Sequence, residues 1–405
     1  MIALLLLLVI TLLLLLVITL LLLLILIMLK FLSKLTSSSK TTPVESISSS
    51  TIKVSPSPSL SSSSSPLPSS SLSTNELLSL SISYNYNNDG ISMSVLNDFI
   101  NNTGYSNLLN KTTHEVVHKY IIPLTRRTNT SYANYIRHNT NTNNNTTTTT
   151  TVYKANIFIC HSWRYKFLDV VNSITNYVNT TYSNTDNTFI HFDAFCVNQN
   201  TTSSSSITID WLTLTYNKII KNINHTLVIL SYNDNDDDNT IVLRRSFALY
   251  EMYSSIHSNT KMSITITNMD EFRSSVCRAP IIVLNKVLSY IKFHDSHTTI
   301  TTNKDILMKA LLTMTSSSSS SSSSSIETID KIITNKIHDC LLDIMTQCID
   351  QEHDDTKKMS LLSAVARLHK SRGSFELAEQ LFLQNLDKMK LKLGHSHKEV
   401  YRYYY

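Results

Sequence analysis

His161 and Ser162 stand side by side, the residue types that a hydrolase uses as base and nucleophile. Neighbours on an extended strand point to opposite faces, so this pair does not relay a proton directly. Its expected role is to close a strand and shape a crevice. Asp193, Asn198 and Gln199 follow a second strand-like run, at an edge where a ligand could meet them. A polar loop that hydrogen-bonds its own backbone is their expected use. Asp234, Asp236, Asp237 and Asp238 gather carboxylates that could bind a divalent cation. They also precede a helical pattern whose positive amino end favours acids in a solvated loop, so no metal site is expected. Trp163 and Trp211 are expected to line the core or the crevice. The five cysteines, Cys160, Cys196, Cys277, Cys340 and Cys348, lie far apart with no CxxC pair. That spacing excludes a zinc ribbon and gives no disulfide framework, leaving reduced thiols as the default.

Composition narrows the setting of these residues. Of 405 residues 16% are charged and the net charge is +5, too thin for a nucleic-acid partner. Only 4 are glycine, which leaves no glycine-rich phosphate loop. Residues 2–29 hold no charge, Gly or Pro. At about 1.5 Å per residue they extend about 42 Å, against a hydrocarbon core of roughly 30 Å. The run is too long for a signal-peptide core and no Ala-x-Ala follows, so residues 1–29 are expected to be a transmembrane helix. Lys30, Lys34 and Lys40 follow directly. Basic flanks stay cytoplasmic, which predicts a single-pass membrane protein with its C-terminal part in the cytosol. Residues 30–111 are rich in Ser, Pro and Asn and are expected to be a mostly disordered tether. The Asn/Thr run 139–151 and the serines 316–325 are expected to be a loop insertion and a linker.

Between these runs the pattern is that of a folded unit. Residues 156–160 (NIFIC), 188–192 (TFIHF), 226–230 (TLVIL) and 262–266 (MSITI) are short apolar runs of strand length. Helical spacing separates them: Phe167, Val170, Val171, Ile174 and Val178; then Trp211, Leu214, Ile219 and Ile223; then Leu243, Phe247, Tyr250 and Ser254. Alternation of strand and helix predicts an α/β fold, a parallel sheet with helices on both faces. The crevice of such a sheet opens at the carboxyl ends of the strands.

The string Phe158-Ile-Cys-His-Ser-Trp163 resembles the first strand of a Toll/interleukin-1-receptor-like (TIR-like) domain, F-[IV]-S-H-[AS]-W. Phe192-Asp-Ala-Phe-Cys-Val-Asn-Gln199 is similar to a second motif, F-D-x-F-x-x-N-Q, and Leu227-Val-Ile-Leu-Ser231 to the third strand. Leu243-Arg-Arg-Ser-Phe-Ala-Leu-Tyr-Glu251 is similar to L-x-R-x-W-C-L-x-E, with Phe247-Ala248 where the family has Trp-Cys. An upstream segment, Val117-His-Lys-Tyr-Ile-Ile-Pro123-Leu-Thr125 and then Ser131-Tyr132, is similar to V-x-x-x-I-x-P-x-T…S-Y. That order resembles protist and algal proteins that place a TIR-like domain before tetratricopeptide repeats of kinesin-light-chain type. The resemblance covers about residues 112–275 and implies a flavodoxin-like sheet, with the TIR-like domain over 112–315. Ala366, Gly373, Phe375, Ala378 and Phe382, followed by Leu393-Gly-His-Ser-His-Lys, resemble one tetratricopeptide repeat at about 359–394 within a helical region 326–405. His369 and Asn385 take the usual Tyr and Ala slots of that repeat.

The resemblance carries one catalytic expectation. Some TIR domains hydrolyse NAD with a Glu in this helix, which places Glu251 as the candidate. A carboxylate near the ribose would stabilise an oxocarbenium-like charge, and Arg244 and Arg245 could meet pyrophosphate oxygens. The altered Trp-Cys pair favours the other use of such domains. The expected function is therefore a membrane-anchored interaction protein. It would take no cofactor and bind proteins, including other copies of itself, through TIR-like and tetratricopeptide-like surfaces. An NAD glycohydrolase is the alternative. His161, Ser162, Trp163, Asp193, Asn198, Arg244 and Arg245 are the remaining crevice candidates.

Overall fold

The computed structural model describes residues 88–141, 151–200, 208–232, 241–298, 301–315 and 322–393. Residues 2–29 and the four aspartates at 234–238 lie outside them. No described helix is long and apolar enough to cross a membrane.

Six strands form one sheet: β1 (Asp89–Ser92), β2 (Val152–Lys154), β3 (Ile157–Cys160), β4 (Phe189–His191), β5 (His225–Leu230) and β6 (Lys261–Ile266), in the order β2-β1-β4-β3-β5-β6. The last four are mutually parallel, with Ile157 opposite Ile190, Ile159 opposite Leu227 and Val228 opposite Ile264. β1 is antiparallel to both β2 and β4, with Ile91 opposite Val152 and Ile190. All six residues of β5 are buried, as required of a central parallel strand with helices over both faces. From β3 the chain moves to β4 on one side and later to β5 on the other. Connections that diverge in this way leave a crevice at the carboxyl ends of β3 and β5.

The helices follow in chain order: α1 (Met93–Thr103), α2 (Tyr132–Asn141), α3 (Phe167–Thr181), α4 (Asn217–Ile223), α5 (Ser246–His257), α6 (Met269–Arg278), α7 (Pro280–Leu288), α8 (Thr301–Thr315), α9 (Ser322–Gln351), α10 (Asp355–Ser371) and α11 (Phe375–Leu393). The predicted helix around Trp211 is real but shifted in phase. A wide turn over Trp211–Tyr216 precedes α4, and it buries Leu212 and Tyr216 while leaving Leu214 57% exposed. A second wide turn, Val117–Ile121, runs into Pro123. Proline supplies no N–H, so the ladder of hydrogen bonds must open there.

The described fold includes residues 88–111, part of the stretch expected to be mostly tether. Ile91 of β1 and Val95, Leu96 and Phe99 of α1 are buried. Phe99 meets Tyr132, Phe167 and Phe195 edge-on, at ring separations of 5.5, 5.8 and 5.1 Å. These rings join α1, α2, α3 and the turn after β4. Gly90 lets β1 approach closely, since a Cβ there would lie 2.8 Å from the Ala155 Cβ.

The described C-terminal helices pack directly on the α/β layers. The residues expected to end the serine linker begin α9. Ile329, Ile333, Ile337, Leu341 and Met345 of α9 are fully buried and belong to the same apolar cluster as Ile91 and Phe158. α9 packs on α5, α7 and β6, and the Cys340 thiol reaches the Met262 carbonyl at 3.7 Å. α10 and α11 form an antiparallel hairpin whose turn holds Gly373 at φ 81°, a conformation that glycine adopts without strain. The two unusual residues of the hairpin are both used. Asn385 is buried and donates to the Ser363 hydroxyl at 3.0 Å. His369 is buried with its Nε2 3.4 Å from the Thr346 hydroxyl of α9.

Truncating Phe99 to Ala should cost about 3–5 kcal/mol by removing a ring from a packed aromatic cluster. Urea unfolding measures this, and a midpoint within error of wild type would place residues 88–111 outside the cooperative unit.

Candidate functional site

Four chain segments converge at the crevice. β3 ends at Cys160 and continues as His161, Ser162 and Trp163; β4 is followed by Phe192 and Asp193; Glu251 lies on α5; and Tyr216 comes from the wide turn before α4. The Trp163 indole N–H donates to the Asp193 carboxylate at 2.7 Å. The other oxygen of that carboxylate accepts the Ala194 amide, also at 2.7 Å. The loops leaving two neighbouring parallel strands are thereby tied together.

His161 is buried against the Phe192 ring, at a ring separation of 4.9 Å. Its Nδ1 lies 3.8 Å from Asp193, too far for a hydrogen bond, and its buried Nε2 has no hydrogen-bond partner. Burial holds its pKa below the usual imidazole value despite the pull of Asp193. Ser162 turns elsewhere: its hydroxyl accepts the Arg164 amide at 3.3 Å. The two neighbours do not form a base–nucleophile pair.

Glu251 is the centre of a separate contact set. The Tyr216 hydroxyl donates to its Oε1 at 2.5 Å, and the buried Cys160 thiol, which donates to the Ala248 carbonyl at 3.8 Å, lies beside the same carboxyl. The residue keeps some solvent contact. Removal of the carboxyl from water nonetheless dominates, the Asp193 charge adds to it, and together they push the Glu251 pKa up to about 8. The hydrogen bond from Tyr216 and the neighbouring Cys160 thiol pull the other way and do not offset burial. Burial, reinforced by Glu251, likewise raises the Cys160 thiol and the Tyr216 phenol well above their ordinary values. At neutral pH the cluster is mostly a protonated acid among protonated neighbours. An acid in that form donates a proton or a hydrogen bond and carries no charge to stabilise a cation.

Trp163 and Asp193 are joined by a hydrogen bond and the Asp193 charge acts on Glu251, whereas other predicted residues serve elsewhere. Asn198 donates to the Asn129 carbonyl at 2.7 Å and accepts the Asn200 amide at 3.1 Å, which pins a loop. Gln199 donates to the Asp193 carbonyl at 2.8 Å and braces the turn from behind. The Arg244 guanidinium sits over the Tyr290 ring, 3.9 Å from its centre. Arg245 precedes α5, where burial and the nearby Arg164 lower its pKa. Trp211 stacks near Tyr216 at 5.0 Å.

Sequence reasoning did not single out Tyr216 or Cys160 as partners of Glu251. The periodicity around Trp211 could have exposed Tyr216 only with the wide turn known. A cleft of about 810 Å³ lies at the opposite end of the sheet, lined by Ser92, Tyr153, Asn156, Asp186, Phe189 and Asn222 among others. Those residues precede or open the parallel strands, so the cleft is separate from the Glu251 cluster. No family model, curated protein or solved structure matches this chain.

A carboxyl whose folded pKa is raised binds its proton more tightly folded than unfolded. Stability should therefore fall as pH rises from the ordinary value of 4.5 to about 8, and level off above. Glu251→Gln removes this slope. The variant should match wild type near pH 4.5 and exceed it by roughly 1–3 kcal/mol near pH 8, residual solvent contact limiting the gain. Parallel pH-stability curves for the two proteins would contradict the assignment.

Proposed function

We propose that the protein is a membrane-anchored interaction protein. Its α/β unit is TIR-like and flavodoxin-like in topology, and its α10–α11 hairpin is a tetratricopeptide-like element. Residues 2–29 supply the anchor, with the remainder in the cytosol. The observation that carries this reading is the placement of Glu251, whose Oε1 accepts the Tyr216 hydroxyl and whose carboxyl is largely withdrawn from water, which favours its protonated form. A carboxyl in that state serves packing better than it serves ribosyl-cation stabilisation. The order of the parallel strands, β4-β3-β5-β6, agrees with a flavodoxin-like sheet. Partners, including further copies of the chain, would dock on helix and loop surfaces.

Concentration-dependent light scattering and crosslinking of the full chain in detergent test this directly. Self-association, or a specific partner recovered on pull-down, is the expected result. Strictly monomeric behaviour with no partner would count against it.

The Trp163–Asp193 hydrogen bond, with the Asp193 charge acting on Glu251, keeps the NAD glycohydrolase as a second reading. That enzyme would need the ionised form of Glu251. Nicotinamide release should then climb with pH through about 8 and vanish in Glu251→Gln. A flat pH profile, or activity retained in the variant, would remove Glu251 from the chemistry.

A further inference from the structure

The rim of the crevice carries a second pair of functional side chains that the site above does not use. His114 and His118 are both exposed, four residues apart, on the short helix Thr113–Val116 and the wide turn that continues it. Their rings lie 4.3 Å apart at 48°, and the His114 ring is 6.3 Å from Trp163. Two imidazoles on one helical face are the chelating pair of many metal sites.

This pair is held in place before any ligand arrives. Thr112 and Glu115 cap the helix reciprocally, the Glu115 amide donating to the Thr112 hydroxyl at 3.2 Å and the Thr112 amide to the Glu115 carboxylate at 2.8 Å. The Thr113 amide donates to the Tyr165 carbonyl at 2.9 Å and the His114 amide to the Trp163 carbonyl at 3.0 Å, fixing the helix on the crevice loop.

We propose that His114 and His118 form a bidentate imidazole site for a borderline divalent transition metal, of the Cu²⁺, Ni²⁺ or Zn²⁺ class. Among the described residues no group of three or more His, Cys, Asp or Glu converges as a metal site. Water would complete the coordination sphere, which makes the site an open one rather than a closed structural centre. Neutral nitrogen donors select against Ca²⁺ and Mg²⁺, which take oxygen ligands. The metal would sit beside Trp163, and so next to the hydrogen bond that holds Asp193.

Trp163 supplies the readout. The chain has 2 tryptophans, and a Trp211→Phe background isolates the emission of Trp163. CuCl₂ titrated into the full chain in detergent should quench this emission saturably, with one equivalent, and EDTA should reverse it by removing the bound ion. MgCl₂ should have no effect. Loss of an outer-sphere partner alone costs metal sites 10–100-fold, so His114→Ala and His118→Ala should each weaken binding at least about tenfold. Both side chains are exposed, and an unchanged circular-dichroism melt confirms that the variants fold. Calorimetric titration of the wild type and of the double variant gives a second measure, in which one equivalent of Cu²⁺ should be lost. Quenching that is linear in metal, or binding that survives the double variant, would overturn the proposal by assigning the metal to collisions or to other histidines.

Discussion

A half-buried carboxylate has to be satisfied, and the way Asp193 is satisfied organises this protein. Its two oxygens are taken by the Trp163 indole and the Ala194 amide. The first bond ties the loop after β3 to the turn after β4; the second begins that turn. Gln199 then donates to the Asp193 carbonyl and closes the segment from behind. A charge fixed in this way is felt by its neighbours, because little water screens it. It opposes ionisation of Glu251, Cys160 and Tyr216 together. One hydrogen-bonded acid therefore joins the two loops and adds its charge to the burial that keeps its neighbours protonated.

The supports of that acid come from distant parts of the chain. The turn carrying Asp193 also carries Phe195, which packs on Phe99 of α1 and Tyr132 of α2. Without residues 88–103 this aromatic cluster would lose its edge-on ring, and β4 its antiparallel neighbour. The amino-terminal extension of the sheet is thus part of what places the crevice, although none of its residues reaches Glu251.

The central elements were legible because parallel strands buried on both faces leave unbroken apolar runs. Residues 157–160 and 225–230 are of that kind, and α3 shows its buried face at regular spacing. What escaped did so for stateable reasons. Val95, Leu96 and Phe99 keep helical spacing, but the serines and asparagines around them dilute the signal. β2 spans 3 residues, too short to show a period. Leu214 was expected inside because a regular helix places it with Trp211, and the wide turn rotates it outward. The nearness of Trp163 and Asp193 could be anticipated, since both fall just after neighbouring parallel strands. The hydrogen bond from Tyr216 to Glu251 could not, because it depends on that same change of phase.

The apolar stripe of α9 is sandwiched between the sheet-bearing layers and the terminal hairpin. A terminal hairpin that forms a separate module meets its neighbour at a seam where few contacts cross. Here there is no such seam among the described residues: Ile329, Ile333 and Ile337 would stand in water if what lies beneath them were removed. The hairpin therefore cannot be cut away cleanly: removing it together with α9 would strip the cover from a continuous apolar layer.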